Sequence, residues 1–350
     1  DERDPQMRAG LAAPRKRVGT LEGMTPDDAR ARILTVPSLE RLGVPPSRVR
    51  RMVAAGELVV VHRGRYVRRS DWDAAYPEFR HMLAIVAADS FRKSDDVVYA
   101  FASAAVLHGL PLFRHRAGAP HVCTRRADGI VTSSRTLRRH DIDVPDADRV
   151  MIGGIPVTSF ERTVYDMIRT TRRETAVACA DAALRSIAWH EVPRRYDEMA
   201  AAKWRAHLRG RIARSSGARG IRQARWVTEF ADGRAQLPGE STSRLYLADL
   251  GFAPPRLQVP FEGPAGATYW IDFALEDVRA WGEFDGLGKY FDPQMLRGAT
   301  TREALRDEKD REDWIRGRSQ WRFARWGFAH ISSADSLGSR LASFGIIPRR

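Results

Sequence analysis

The chain has 350 residues, of which 43% are hydrophobic, enough for two or three folded domains. Lys and Arg outnumber Asp and Glu by 58 to 44, a formal net charge of +14, which favours a polyanionic partner. Only Lys16, Lys93, Lys203, Lys289 and Lys309 are lysines, so the charge is carried by arginine, an excess that either a polyanionic partner or a compositional bias of the genome explains. Cys123 and Cys179 stand far apart and outside any CxxC pattern, which excludes a disulfide scaffold and a cysteine-rich zinc site. No apolar run reaches the ~18 residues of a membrane helix and no secretory leader opens the chain, so the sequence predicts a cytoplasmic protein without a membrane partner.

Residues 1–23 read as a mobile tail. Thr25-Pro26-Asp27-Asp28 is a helix start, with a capping threonine, proline in the first turn and acids at the positive end of the helix dipole; this helix should run to about Leu34. Short helices are expected over 38–42, closed by Gly43, and over 47–55, closed by Gly56. Strands follow over 58–62 and 65–67 about Arg63-Gly64. Three small helices and a hairpin predict a winged helix-turn-helix over 24–70. Arg48, Arg50 and Arg51 crowd its third helix, and Arg63, Arg65, Arg68 and Arg69 its wing. Such a helix suits the major groove of double-stranded DNA while the wing grips phosphates, with arginine able to bind guanine in bidentate fashion. Val49, Met52 and Val53 read as the core side of the same helix. The competing reading is a solvated basic face on a protein-contact domain.

Between 77 and 232 the sequence predicts a mixed α/β middle domain: helices over 79–91, 102–109, 158–168 (opened by the capping box Thr158-Ser159-Phe160-Glu161) and 174–187, with strands over 119–124 and 155–158. His108 and His140 have no acid–base partner at a telling spacing and read as packing or surface residues. His121 and Cys123 read as strand side chains. Arg209, Arg211, Arg214, Arg219, Arg222 and Arg225 form a basic stretch around Ser215-Ser216-Gly217. It reads as a linker and helix, and either a DNA backbone contact or a solvated charged helix explains it. There is no internal repeat at a period of 20–50 residues and no phosphate-cradling glycine loop.

Residues 236–350 carry the chemistry. A helix over 240–250 begins with Glu240, either as a first-turn acid paired with Arg244 four residues on or as a site carboxylate. Strands are expected over 257–261, 268–275 and 278–284, the last two joined by Glu276-Asp277 alone. With that two-residue loop, Asp272 lies opposite Trp281 and Glu283 is its diagonal neighbour at roughly 7 to 8 Å. Asp285 shares the face of Glu283 by strand period, and hard oxygen ligands of this kind suit Mg2+ or Mn2+. Lys289 is the lysine nearest the acids and suits a developing negative charge. A solvent-exposed polar strand face is the alternative. A helix carrying residues 302–316 and a strand over 320–326 follow.

Two resemblances join these readings. The pattern Leu39-Glu40-Arg41-Leu42-Gly43, Gly56-Glu57-Leu58 and Arg63-Gly64-Arg65-Tyr66-Val67 resembles the N-terminal domain of AbiEi-type antitoxins of type IV toxin-antitoxin systems. Residues 104–111 and 158–163 are similar to related bacterial proteins. That resemblance implies a winged helix that binds operator DNA and represses its own operon, and a cognate toxin as partner. The order of elements from Glu240 to Ile331 resembles the PD-(D/E)XK nuclease fold in its very-short-patch-repair variety. It implies Mg-dependent phosphodiester hydrolysis, with Asp272 and Glu283 at the metal-ligand positions and Glu240 as the helix glutamate. Asp285 departs from that pattern by standing where the motif has lysine: either Lys289 replaces it or the site is inactive.

The expected fold class is therefore α+β multidomain, with an N-terminal winged helix-turn-helix, a mixed α/β middle region and a C-terminal restriction-endonuclease-like domain. The leading functional expectation is a DNA-binding protein with a Mg-dependent nuclease site. The alternative is a non-enzymatic antitoxin and repressor whose last domain serves toxin or homodimer contact.

Overall fold

A computed structural model describes residues 25–94, 96–124, 133–286 and 301–349. The expected tail and Lys289 lie outside the described residues. The chain divides into two compact units, one comprising residues up to 109 with 117–158, the other 110–116 with 159–350. This division runs through the stretch expected as one middle domain.

The first unit opens with α1 (Pro26–Arg32), β1 (Leu34–Thr35), α2 (Val36–Arg41), α3 (Pro46–Ala54), β2 (Leu58–His62) and β3 (Arg65–Arg68). The Asp28 amide donates to Thr25 Oγ1 at 3.1 Å while the Thr25 amide donates to Asp28 Oδ2 at 3.0 Å, the reciprocal box that satisfies two otherwise orphaned donors. A second box between Thr35 and Ser38 starts α2 two residues earlier than expected. Gly43, Gly56 and Gly64 all sit at positive φ, where a side chain would be strained. The strand β1 is too short to be seen by alternation; its pairing with β3 completes a three-stranded sheet of order β1-β3-β2. Leu39, Val49 and Leu58 form the buried centre, with Met52, Val53 and Tyr66 packed against it.

The same unit continues with α4 (Arg69–Ala74), α5 (Pro77–Asp89), β4 (Val98–Tyr99), α6 (Phe101–Leu107), β5 (His121–Thr124), β6 (Arg138–Asp141), β7 (Arg149–Ile152) and β8 (Ile155–Thr158). The five strands form one sheet of order β6-β5-β4-β8-β7.

The second unit contains α7 (Phe160–Thr170), α8 (Arg173–Ala188), the two-residue strands β9 (Trp189–His190) and β10 (Arg195–Tyr196), α9 (Glu198–Arg214), α10 (Ile221–Phe230) and α11 (Pro238–Asp249). Then come β11 (Arg256–Glu262), β12 (Thr268–Leu275), β13 (Ala280–Asp285), α12 (Thr301–Ser319), β14 (Arg322–Gly327) and α13 (Ala334–Ala342). The sheet runs β11-β12-β13-β14, antiparallel for its first two pairings and parallel for the last.

Glycine sets how closely α11 and the sheet strands approach their neighbours. A Cβ at Gly239 would lie 2.1 Å from the Phe284 ring, and one at Gly282 would lie 2.3 Å from the Trp326 ring. Gly282→Ala should therefore overpack this core and cost about 1–3 kcal/mol, read as a lower urea midpoint with an unchanged m-value. A midpoint within error of the native protein would show that the ring yields freely.

Cys123 and Cys179 are both buried and are not joined in a disulfide. Among the described residues no helix is long and apolar enough to cross a membrane.

Candidate functional site

In the first unit the apolar side of α3 is spent on the core through Val49, Met52 and Val53. Arg48, Arg50 and Arg51, around the remainder of the helix, are all exposed. The fold places them so because a helix alternates faces every three to four residues, and the capless start at Pro45-Pro46 still orients α3 through the rigid φ of proline. Arg63 at the β2–β3 turn and Arg68 at the end of β3 are exposed as well. Two further arginines here are otherwise engaged. Arg65 donates from Nε to Ser90 Oγ at 3.0 Å and stacks 4.5 Å from the centroid of Phe91, so it ties the hairpin to the end of α5. Arg69 donates to the Gly56 carbonyl at 3.1 Å and pairs with Asp73.

In the second unit the register of the carboxylate hairpin differs from expectation. Residues 276–278 form a 3-10 turn and Arg279 adopts a left-handed conformation, so the connection is four residues long instead of two. Trp281 consequently pairs with Ala274, and Phe273 with Gly282. Continuing that register by one residue sets Asp272 directly across from Glu283 rather than diagonal to it. The same row extends to Arg325, the parallel partner of Glu283.

The carboxylates at this row have donors around them. Gln258 Nε2 donates to Asp272 Oδ1 at 3.1 Å and the Phe284 amide donates to Oδ2 at 2.9 Å. Glu283, only 6% exposed, is held by Arg311 of α12 at 2.5 Å and by Arg325 at 3.0 Å. Burial pushes its carboxyl up from the ordinary carboxylate range, and the two guanidiniums oppose that shift. Arg325 also reaches Glu308 and Glu312 of α12, and its other nitrogen lies 3.9 Å from Asp285. Glu240 is buried at the start of α11 and takes the Gln236 amide at 2.9 Å. It is not the partner of Arg244, which turns instead to Asp181. Gln236 Nε2 in turn donates to Gln258 Oε1 at 3.0 Å, so Glu240, Gln236, Gln258 and Asp272 form one hydrogen-bonded chain.

This donor set is a poor fit to Mg2+ or Mn2+ as it stands. Both Asp272 oxygens accept hydrogen bonds and Glu283 is neutralised by two guanidiniums, whereas a hard divalent ion needs several carboxylate or carbonyl oxygens turned toward one point. Among the described residues no group of three potential ligands converges. The row can hold α12 against the sheet through charge-assisted hydrogen bonds, and no hydrolytic step is derived from it. Sequence reasoning missed Gln236, Gln258, Arg311 and Arg325. A buried glutamine in a strand at positive φ, as Gln258 is, is visible only in three dimensions; Arg311 and Arg325 had a weak signal in being basic residues next to the acidic hairpin in fold order.

The histidines take packing roles. His108 Nε2 lies 2.8 Å from the Thr158 carbonyl. His140 Nε2 is 3.1 Å from His121 Nδ1, with the rings stacked, and burial with Arg138 nearby pushes the His140 imidazole down from its ordinary value.

Comparison with known proteins bears on the first of these two regions. Residues 28–69 match the family described as "Transcriptional regulator, AbiEi antitoxin". That match covers the arginine-bearing helix α3 and the β2–β3 hairpin. Two uncharacterized proteins of Mycobacterium tuberculosis, from strains CDC 1551 / Oshkosh and ATCC 25618 / H37Rv, are each 34% identical to this chain over 150 residues, 43% of this chain and 50% of theirs. The chain thus spans about half the length of the curated relatives it matches.

Proposed function

We propose that this protein is a DNA-binding transcriptional regulator of the antitoxin type, with residues 25–68 acting as a winged helix-turn-helix. The observation that carries this reading is α3: its apolar side is buried and its outward side bears Arg48, Arg50 and Arg51, within the segment that matches a regulator family. In this reading α3 enters the major groove, and Arg63 and Arg68 of the hairpin bind flanking phosphates. Arg65 supports the hairpin from behind. A cognate toxin and a homodimeric state belong to the same proposal. The direct test is a gel shift with the DNA upstream of the protein's own operon, at low and physiological salt. Absence of any retarded species at low salt would remove the reading.

Residues 236–350, within the second unit, we read as a restriction-endonuclease-like core without hydrolytic activity. The succession α11, β11, β12, β13, α12, β14 and the strand order support the fold, and the guanidiniums on Glu283 support its silence. Mg-dependent cleavage is the second reading, supported by the Phe273 to Gly282 pairing, which brings the neighbouring Asp272 and Glu283 to adjacent strands at one level. Incubating supercoiled DNA with Mg2+ or Mn2+ separates them. The silent core leaves the plasmid intact, whereas nicking by the native protein that disappears in Asp272→Ala would establish the second reading.

A further inference from the structure

We propose that the turn joining α9 and α10 is a second contact surface for duplex DNA, made by Arg214, Arg219, Arg222 and Arg225. Between Glu198 and Glu229 the chain contains no acidic residue at all. Those two flanking acids are themselves occupied: Glu229 holds Arg209 through both oxygens at 2.7 and 2.5 Å, and Glu198 pairs with Arg234. The four arginines of the turn are exposed and none has an acidic partner among the described residues. A merely solvated helix looks different, and this chain supplies the contrast: α12 interleaves its charges, Arg311 pairing with Glu308 and Arg316 with Glu312.

The turn is also rigidly seated, unlike the linker that its Ser-Ser-Gly sequence suggests. Gly220 sits at φ +79°, and a Cβ there would lie 2.0 Å from the Arg169 carbonyl oxygen. Gln223 Nε2 donates to the carbonyls of Ile168 and Thr171 at 2.8 and 2.9 Å, and Arg169 donates to the Arg219 carbonyl at 3.0 Å. Ala224 and Val227 bury the inner side of α10, which leaves Arg222 and Arg225, three residues apart, as outward neighbours. Positive charge on a fixed backbone with no local counter-charge fits a row of phosphates, since little ordering entropy is lost on binding and each neutralised phosphate releases condensed counterions.

This surface rests on the DNA-binding reading given above. The test compares the full-length native protein with a variant carrying Arg214→Ser, Arg219→Ser, Arg222→Ser and Arg225→Ser, by fluorescence anisotropy on upstream-operon and unrelated duplexes over a salt series. Affinity should fall about tenfold or more on both duplexes alike, and the slope of log K against log salt should shrink by about 0.9 for each phosphate no longer neutralised. Replacement of all four by lysine should keep the native slope. In the native protein, bound duplex should protect these arginines from phenylglyoxal, read by mass spectrometry, which holds whether or not the serine variant folds. Native affinity and slope in a folded serine variant, or equal modification with and without DNA, would overturn the proposal while leaving the α3 reading intact. Failure of the native protein to bind any duplex would overturn both.

Discussion

Replacing Arg48, Arg50 and Arg51 together with alanine is expected, on the proposed DNA-binding reading, to abolish binding to duplex DNA while leaving the fold intact. The three side chains are exposed and contribute nothing to the Leu39, Val49 and Leu58 centre, so their removal should leave stability within about 0.5 kcal/mol of native, as for surface substitutions in general. Binding is another matter. A bidentate guanidinium-to-guanine contact discriminates by about 1–3 kcal/mol and a phosphate contact adds a salt-dependent share; removing three such side chains costs more than about 4 kcal/mol, roughly a thousandfold in affinity. Anisotropy with operator DNA measures this, and an affinity within threefold of native would sink the assignment of α3 as the reading helix. Arg65→Ala provides a contrast. Because that guanidinium stacks on Phe91 and bonds to Ser90, its removal should lower stability more than it lowers affinity.

The second large effect is on stability. Asp181 is fully buried and holds Arg244, 8% exposed, through both carboxylate oxygens at 2.8 Å. The Asp232 amide adds a third bond to Asp181 at 2.8 Å, while Arg244 also donates to the Phe230 carbonyl at 2.6 Å and lies 4.1 Å from that ring's centroid. The pair therefore joins α8, α11 and the end of α10. Asp181→Ala strands an uncompensated guanidinium in the interior, which should cost about 3–5 kcal/mol. Removing both charges, as in Asp181→Leu with Arg244→Met, should recover much of that stability, because no charge is then left unpaired. Urea unfolding followed by two probes measures both, since two compact units need not unfold together. A single variant as stable as native, or a double variant worse than the single, would contradict the account.

These two sites differ in how far they can be read without coordinates. The charges and caps of α3 are local: Pro45-Pro46, the period of Val49, Met52 and Val53, and Gly56 at positive φ together define a helix with one buried and one basic side. The Asp181 to Arg244 pair spans 63 residues, and nothing in the neighbourhood of either residue announces it. Sequence spacing instead suggested Glu240 as the partner of Arg244, because four residues is one helical turn. The actual choice follows from burial, since Glu240 is taken by the Gln236 amide and Asp181 would otherwise be a bare charge in the core.

The hairpin shows the same limit on a smaller scale. Alternation and aromatic content located both strands, but register depends on the turn, and a left-handed Arg279 is a conformation that no residue preference would have forecast.

What the amino-acid order determined by itself was the basic, arginine-built character of the chain, the helices and hairpin of residues 25–68, and the presence of Asp272 and Glu283 on neighbouring strands. Those follow from short-range periodicity, capping and turn chemistry, which act over a few residues. Only the tertiary structure decided which charges neutralise one another: that Arg311 and Arg325 close on Glu283, while the arginines of the α9–α10 turn are left facing outward. Such pairings depend on which distant segments packing brings within a few ångströms, where a lowered dielectric makes them strong, and a linear sequence carries no record of that distance.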